Sequence, residues 1–110
     1  MTRPSPERGD IWLTRLDPAE GREIRKTRPC LVVTPDAMNA SVGTVSVMPL
    51  TSGSRAAAFR VAVEYRGIPG LLLGDHVRSV AKSRLVKRIG RIDDATLSRA
   101  LKMLREMFEE

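Results

Sequence analysis

The stretch FRVAVEY, residues 59–65, places the strongest constraint on how this chain can fold. Its large apolar residues alternate with Arg60, Ala62 and Glu64, which is the cleanest two-residue period in the sequence. Successive side chains of a β-strand point to opposite faces of a sheet, so this period predicts a strand with one buried face.

Other short apolar segments have the same β character and are separated by turns or loops that contain Gly or Pro. The further predicted strands are residues 10–16, the proline-bounded run PCLVVTP at 29–35, TVSVMPL at 44–50, LLLGDHVRSV at 71–80 and RLVKRIGRI at 84–92. The predicted connections are a loop at 17–27, one helical turn in DAMNASVG, a loop at 51–58 and a turn in RGIPG at 66–70.

The end of the chain has a helical period instead. In DDATLSRALKMLREMF, one face carries apolar residues at helical spacing, namely Leu97, Leu101, Leu104 and Phe108. Asp93 or Asp94 can cap the first turn of this helix. The predicted fold is therefore mainly β with α: a small, curled antiparallel sheet or barrel with a C-terminal amphipathic helix packed on it.

A length of 110 residues, 42% hydrophobic and 29% charged, is typical of one soluble globular domain. Residues 1–8 are predicted as a flexible arm and residues 9–110 as the domain. No apolar run approaches the roughly 18 residues that span a membrane, and the N-terminus lacks the apolar core of a secretory signal. We expect a cytoplasmic protein without a membrane partner.

The formal net charge of +6 is unevenly distributed. Residues 1–92 hold 16 Lys and Arg against 8 Asp and Glu, whereas residues 93–110 hold 3 against 5. A basic body favours an anionic partner, with nucleic acid foremost. A basic surface that only keeps the protein soluble remains the alternative.

Cys30 is the only cysteine and His76 the only histidine. An internal disulfide is excluded by this count, and a zinc site is not expected. Because the neighbours of Cys30 are apolar, we interpret it as a buried structural thiol rather than a nucleophile. Trp12 could stack on a base, but a core position is the favoured interpretation. We expect no metal and no cofactor.

A basic β-protein could cleave RNA without a metal if it supplies three functions. One group takes the proton of the 2′-hydroxyl, another stabilises charge on the five-coordinate phosphate, and a third protonates the leaving 5′-oxygen. Arginine suits the phosphate because its planar fork is always charged and binds phosphate in a bidentate manner.

Residues of these types gather in two segments. The stretch EIRKTRPCLVV has its charges immediately before a buried strand: Glu23, Arg25, Lys26 and Arg28. The stretch PLTSGS carries Thr51 and Ser52 at the end of another strand. Sequence spacing does not show that the two segments meet, so a solvated charged loop remains the alternative.

Five segments together match a known pattern, in order and spacing: GDIWLTRLDPAEGREIRKTRPCLVV at 9–33, VSVMPLTS at 45–52, FRVAVE at 59–64, GDHVRSV at 74–80 and RIGRID at 88–93. On these segments the chain resembles the MazF/PemK (Kid) family, the toxin endoribonucleases of type II toxin–antitoxin pairs. The resemblance implies a small SH3-like barrel with a C-terminal helix, the fold shared with the gyrase poison CcdB.

The resemblance also implies sequence-specific, metal-independent cleavage of single-stranded RNA, chiefly mRNA, which inhibits translation and growth. The 2′-hydroxyl attacks the adjacent phosphate and leaves a 2′,3′-cyclic phosphate and a 5′-hydroxyl. Matched to the family motifs, Arg28 would stabilise the phosphate and is a candidate for the leaving-group proton. Thr51 would hydrogen-bond a phosphate oxygen, and Glu23 is the candidate general base.

Further residues are expected to contact RNA: Arg25, Lys26, Ser52, Asp75, His76, Arg78 and Lys82. His76 stands where many relatives have glutamine. A surface or structural imidazole is the favoured interpretation, and a group that titrates near neutral pH is the alternative. The family pattern also implies a homodimer with RNA along a groove at its interface. An acidic antitoxin would lay its disordered tail into the same groove.

Two other functions stay open at this point. A CcdB-like gyrase poison has the same implied fold, but such poisons act mainly through their C-terminal residues, and REMFEE has no apparent match. A non-catalytic RNA-binding module would share the charge, although the intact set Glu23, Arg28 and Thr51 argues against it.

Overall fold

A computed structural model describes residues 5–16 and 26–110 of the chain. The strands in this part are β1 (Asp10–Arg15), β2 (Thr27–Val32), β3 (Thr44–Thr51), β4 (Arg60–Tyr65), β5 (Ile68–Leu73), β6 (Arg78–Ala81) and β7 (Leu85–Arg91). The helices are α1 (Asp36–Ser41) and α2 (Asp94–Met107), with 3₁₀ turns at Gly74–His76 and Lys82–Arg84. The prediction of a mainly β protein with a C-terminal helix is confirmed.

Strand β3 organises the antiparallel sheet, whose order is β4-β5-β3-β2-β1-β7 with β6 also paired to β3. One edge of β3 pairs with β2, and the other edge pairs first with β6 and then with β5. Val47 accordingly faces Val32 on one side and Arg78 on the other. At the two ends of the sheet, the Tyr65 hydroxyl of β4 lies 3.5 Å from the Ile89 carbonyl of β7. Closure into an SH3-like barrel stays a prediction.

The turn between β4 and β5 differs from the prediction. Arg66 and Gly67 have positive φ angles of 54° and 76°, as the two central residues of a type I′ turn require. Pairing therefore resumes at once between Tyr65 and Ile68. The predicted turn at 66–70 was wrong in its length, because residues 68–70 belong to β5. The predicted strand at 71–80 is likewise divided by the 3₁₀ turn.

Strand β2 begins earlier than its apolar run suggested. The predicted strand started at Pro29, but β1 provides partners for two more residues, pairing Arg15 with Thr27 and Thr14 with Arg28. Most of the predicted loop, residues 17–25, lies outside the described residues. Arg28 is therefore part of the sheet itself rather than of the loop before it.

Two apolar clusters form the core. One contains Ile11, Leu31, Met48, Leu72 and Met103, and the other contains Trp12, Cys30, Val32, Val47 and Leu85, among others. The core interpretations of Trp12 and Cys30 are confirmed by exposed fractions of 3% and 0%. Burial raises the pKa of the Cys30 thiol to about 12, so it is not a ready nucleophile.

Helix α2 packs on the first cluster with a buried stripe of Thr96, Ala100 and Met103. Asp93 caps it by accepting a hydrogen bond from the Thr96 amide at 3.0 Å. The predicted apolar face is only partly buried, and Phe108 at its end is 75% exposed. Within the described part of the chain, no helix is both long enough and apolar enough to cross a membrane.

The N-terminal segment reaches across to the end of β2. Residues 1–4 of the predicted arm lie outside the described residues. The backbone amide of Arg8 donates to Asp36 Oδ1 at 2.7 Å, and the side-chain Nε of Arg8 donates to the Val33 carbonyl at 2.8 Å. Asp10, 1% exposed, then ties β1 to β7 by accepting from Arg88 Nε at 3.0 Å.

A substitution at Gly74 tests how tightly the residues beside the sheet are packed. A Cβ at this position would lie 2.5 Å from the Phe59 carbonyl oxygen and 2.6 Å from Met103 Cε. We expect Gly74→Ala to lower the free energy of unfolding by about 1–3 kcal/mol, the range for overpacking. Gly43 is the matched control, because a Cβ there meets nothing within 4 Å. Urea unfolding of both variants measures the difference, and equal midpoints would contradict this account of the packing.

Candidate active site

The packing of β2 beside β3 brings Arg28 and Thr51 to one place. The two strands pair from Cys30 with Pro49 to Val32 with Val47, and Arg28 and Thr51 follow this paired stretch at the adjoining strand ends. Both residues line the same two cavities. On its other side, Arg28 is paired with Thr14 of β1. Two segments that are distant in sequence thus meet at one point of the sheet.

A cavity of about 460 Å³ opens at this point. It is lined by Arg28, Thr51, Ser52, Gly53, Ser54, Arg60, Leu73 and His76. A smaller cavity of about 210 Å³ shares Arg28, Thr51 and Ser52 and continues to Tyr65 and Ile68. We call the two together the Arg28–Thr51 cleft. Its described lining offers two guanidinium groups and several hydroxyls, and no carboxylate.

Thr51 is held in a defined orientation at the end of β3. Thr51 is only 7% exposed, and its Oγ1 accepts a hydrogen bond from the Gly53 amide at 3.2 Å. A hydroxyl that accepts through one lone pair retains its own proton for donation. Thr51 can therefore donate to an oxygen bound in the cleft.

Arg60 is a cleft residue that the sequence interpretation missed. Its guanidinium donates to both carboxylate oxygens of Asp75, from Nε at 3.0 Å and from NH2 at 2.8 Å. Its third nitrogen donates to the Arg55 carbonyl at 2.8 Å. The alternation of FRVAVEY had placed Arg60 on the polar face of a strand, directly after the loop that carries Ser52, and this was the available signal.

The ion pair between Arg60 and Asp75 sets the charge on this side of the cleft. The hydrogen bonds from Arg60 lower the pKa of Asp75, and the same bonds raise the pKa of Arg60. Asp75 is thus a fixed anion at neutral pH. His76 Nε2 lies 3.6 Å from Asp75 Oδ2, and the imidazole is 19% exposed where it lines the cleft.

The remaining predicted site residues are dispersed. Lys26 lies in a different cavity, with Arg15 and Arg84. Arg78 donates to the Leu16 carbonyl at 3.3 Å, and the Lys82 ammonium donates to the Asn39 carbonyl. Glu23 and Arg25 lie outside the described residues. Of the predicted set, the structure therefore brings together Arg28, Thr51, Ser52 and His76, with Asp75 held behind them by Arg60.

This arrangement suits a phosphodiester. A cation and a hydroxyl donor on opposed strands can contact the same phosphate, and both are fixed by the sheet before any ligand arrives. Within the described residues, no three His, Cys, Asp or Glu side chains are grouped as metal ligands would be.

Comparison with known proteins identifies the family of the chain. The family of PemK-like, MazF-like toxins of type II toxin–antitoxin systems matches residues 7–108. The chain belongs to this family. The match spans both strands of the Arg28–Thr51 cleft and the whole of α2.

Individual relatives extend the match. The chain is 40% identical to "Endoribonuclease PemK" of Escherichia coli over 101 residues, covering 86% of this chain and 76% of that protein. MazF of Deinococcus radiodurans superposes with a TM-score of 0.87 at 26% identity, covering 98% and 100% of the two chains. A MazE–MazF structure of the same organism gives a TM-score of 0.77 at 25% identity, covering 98% and 100%. PemK/MazF toxins thus share the fold on which the cleft is built.

The Arg60–Asp75 pair gives a pH-dependent test. Arg60→Met removes the guanidinium, so the pKa of Asp75 should rise toward its ordinary value of 3.8. A carboxyl group with a lowered pKa stabilises the fold at higher pH, and this stabilisation is lost as the pH falls through the lowered pKa. The wild type should therefore exceed the variant in free energy of unfolding above pH about 4 and lose that advantage below it.

Carboxyl ¹³C NMR of Asp75, together with urea unfolding across this pH range, measures both effects. Arg99→Met is the control, because Arg99 is an exposed arginine of α2 that donates to the Ala62 carbonyl. An unchanged Asp75 titration in the Arg60 variant would contradict the assignment.

Proposed function

We propose that this chain is the toxin of a type II toxin–antitoxin system and a sequence-specific endoribonuclease acting on single-stranded RNA, chiefly mRNA. Family membership and the endoribonuclease activity named for its relatives support the activity. The single observation that carries the site is that Arg28 and Thr51 line one cleft.

The reaction proposed is a transfer within the RNA strand. The 2′-oxygen loses its proton and bonds to the adjacent phosphorus, while the bond to the 5′-oxygen breaks and that oxygen takes a proton. The products are a 2′,3′-cyclic phosphate and a 5′-hydroxyl. The guanidinium of Arg28 stabilises the charge that develops on the phosphate, and the Thr51 hydroxyl donates to one of its oxygens.

The proton acceptor is proposed to be Glu23, five residues before Arg28 along the chain. Arg28 is proposed as the donor to the leaving oxygen, and Arg25, Lys26, Ser52, Asp75, His76 and Arg78 as RNA contacts. Lys82 was also predicted to contact RNA, but the bond from its ammonium to the Asn39 carbonyl favours an anchoring role between β6 and α1. No metal or cofactor enters this proposal.

The rival functions have less support. The curated relatives at 31–40% identity are named as endoribonucleases, which favours RNA cleavage over a gyrase poison. A non-catalytic RNA-binding module would not need Arg28 and Thr51 to be fixed on opposed strands. A cytoplasmic location is part of the same proposal, since mRNA is the substrate.

The toxin is proposed to act as a homodimer. An apolar groove of about 660 Å³ lies between α2 and the sheet, and its apolar lining includes Val77, Leu101, Leu104 and Phe108. Three arginines also line it: Arg8, Arg78 and Arg105. A second copy of the chain fits both features, because its own exposed Phe108 is flanked by Glu106, Glu109 and Glu110. Apolar contact with charge complementarity is typical of such interfaces.

The partner that silences the toxin is proposed to be an acidic antitoxin with a disordered tail. A MazE–MazF complex is known for a relative of the same fold. Carboxylates of such a tail would compete with RNA phosphates for Arg28 and Arg60, because both ligands are anions that accept from arginine.

Cleavage in the presence of EDTA tests the proposed activity. The purified protein should cut a long single-stranded RNA at one short motif and leave cyclic-phosphate ends. Arg28→Ala should lose on the order of 10²–10³ in rate, the cost of removing one such donor. Arg99→Ala is the matched control, and it should cleave like the wild type. Intact RNA from folded wild-type protein would overturn the activity, and cuts that survive Arg28→Ala would overturn the role of Arg28.

Sedimentation equilibrium tests the proposed dimer. Phe108→Glu places a charge where the apolar groove of the second copy would bury it, so the dimer should weaken roughly tenfold or more. Val86→Glu is the control, because Val86 is also an exposed apolar residue, on β7 and outside the groove lining. A wild-type monomer at all concentrations, or a Phe108 variant that dimerises as well as the wild type, would contradict this interface.

A further inference from the structure

The smaller end of the Arg28–Thr51 cleft differs chemically from the rest of it. The larger cavity is lined mainly by hydroxyls, an imidazole and two guanidinium groups. The smaller cavity of about 210 Å³ shares only part of this lining and adds apolar walls with one aromatic ring. The added residues are Pro29, Leu50, Tyr65, Ile68, Pro69 and Gly70. We call this end of the cleft the Tyr65 pocket.

The Tyr65 pocket opens where β5 has a neighbouring strand on one side. Strand β5 pairs with β4 along the whole of Ile68–Leu73, whereas its described pairing with β3 ends at Leu71 and Thr51. Gly70, the next residue, has no side chain to fill the space beyond this last pair. A Cβ at Gly70 would lie 3.6 Å from Leu50 Cδ1 and 3.0 Å from the Thr51 carbonyl oxygen. The pocket is therefore an opening directly beside Thr51.

Two large side chains stand together in the wall of the pocket. Tyr65 and Ile68 are directly opposed in the β4–β5 hairpin, so they share a face of the sheet. The Tyr65 hydroxyl lies 3.5 Å from the Ile89 carbonyl, and the guanidinium carbon of Arg66 lies 5.3 Å from the centre of the ring. Ile68 is 62% exposed. The wall thus combines a ring held in place with an apolar side chain left in water, which a flat apolar ligand would cover.

The backbone of β5 adds a hydrogen-bond acceptor. A two-residue type I′ turn is flanked by a hydrogen-bonded pair, here Tyr65 with Ile68, and bonded and non-bonded pairs alternate along an antiparallel ladder. The next pair, Glu64 with Pro69, is therefore non-bonded, which suits a proline because it has no N–H. The Pro69 carbonyl then points away from β4 and toward β3, whose end lines the same pocket.

We propose that the Tyr65 pocket binds the base of a nucleotide that flanks the phosphate held by Arg28 and Thr51. This inference rests on the proposed endoribonuclease function and deepens it, because the pocket would help to set the cleavage motif. A base has apolar faces and a polar edge, and the pocket matches both with its ring, its aliphatic walls and the Pro69 carbonyl. Unstacked bases of single-stranded RNA are recognised through contacts of this kind.

Position and size favour a base over a segment of a protein partner. The two cavities share Arg28, Thr51 and Ser52, so a phosphate bound by these residues brings the adjoining nucleotide to the pocket. A volume of about 210 Å³ suits one ring system, whereas a docked helix or strand needs a longer groove. A carbonyl acceptor selects a base edge that presents an N–H group to it, which gives the pocket a means of discrimination.

The test combines variants of the pocket with removal of the base. The cut site is first mapped on a long RNA. Short substrates are then made in which each nucleotide flanking the cut is replaced in turn by an abasic ribonucleotide that keeps its 2′-hydroxyl. Cleavage rates of the full-length protein at subsaturating RNA give kcat/KM for each substrate.

The variants are chosen so that the fold is preserved. Ile68→Ala truncates an exposed side chain, and Tyr65→Leu removes the ring but keeps apolar bulk. Val86→Ala is the matched control, because Val86 is a 51% exposed apolar residue of β7 that lines neither cavity of the cleft. If Tyr65→Leu fails to fold, Ile68→Ala still decides the outcome.

We expect the abasic substitution at one flanking position to lower the kcat/KM of the wild type about tenfold, within the range for one stacked base. Both pocket variants should lose about tenfold on the intact RNA. On that abasic RNA they should match the wild type, because the contact that they weaken is already absent. Val86→Ala should cleave every substrate like the wild type.

Equal losses on intact and abasic RNA would overturn the base subsite, since a general structural effect does not depend on the base. Abasic substitutions without effect at both flanking positions would overturn it too. Wild-type rates of both pocket variants on all substrates would overturn it and leave the nuclease proposal standing. Those rates together with weaker inhibition by a peptide rich in leucine and glutamate would assign the pocket to a protein partner instead. Failure of the wild type to cleave RNA would overturn the proposed function together with the subsite.

Discussion

The pairing of β2 with β3 is the constraint on which the rest of the site depends. Cys30 faces Pro49, and next to this pair Arg28 of β2 and Thr51 of β3 line the same cleft. Because side chains alternate along a strand, a slip by one residue would turn Arg28 to the other face of the sheet. The buried residues that follow in β2, Cys30, Leu31 and Val32, make such a slip costly, since each would leave its apolar cluster. The core thus fixes the position of a cation on the surface.

The opposite wall of the cleft is held by charge rather than by apolar packing. Arg60 joins the start of β4 to Asp75 in the 3₁₀ turn and to the Arg55 carbonyl in the preceding loop. This network neutralises Asp75 beside the cleft that is proposed to accept a polyanion. In that proposal Arg28 would face RNA with a paired carboxylate nearby, rather than with a free anion that would repel the phosphate.

Much of the fold could be predicted from the sequence, because it follows from local patterns. The alternation in FRVAVEY, the proline-bounded run after Arg28 and the period of the last segment each indicate one element. The turn at Arg66 and Gly67 was misjudged because an arginine with a positive φ angle leaves no compositional signal. Phe108 follows the helical period, yet it is exposed, since α2 extends beyond the surface that covers Ala100 and Met103.

The candidate site, too, could be predicted from the sequence only in part. Arg28 and Thr51 could be named from the family motifs, but their meeting is a property of strand register, which sequence spacing does not encode. Arg60 was missed for the same reason, because its role depends on a partner fifteen residues away in the 3₁₀ turn. The grouping of Arg15, Lys26 and Arg84 joins the ends of two strands and a 3₁₀ turn, and no single segment of the sequence shows it.

The central claim is that Arg28 and Thr51 act on one phosphate, and a double-mutant cycle on cleavage rates tests it most directly. The rates compared are those of wild type, Arg28→Ala, Thr51→Val and the double variant, with Thr51→Ser as the variant that keeps the hydroxyl. If both residues stabilise the same transition state, the double variant should lose little more than the worse single variant. Losses that simply multiply would show that the two residues act independently, and would contradict the account.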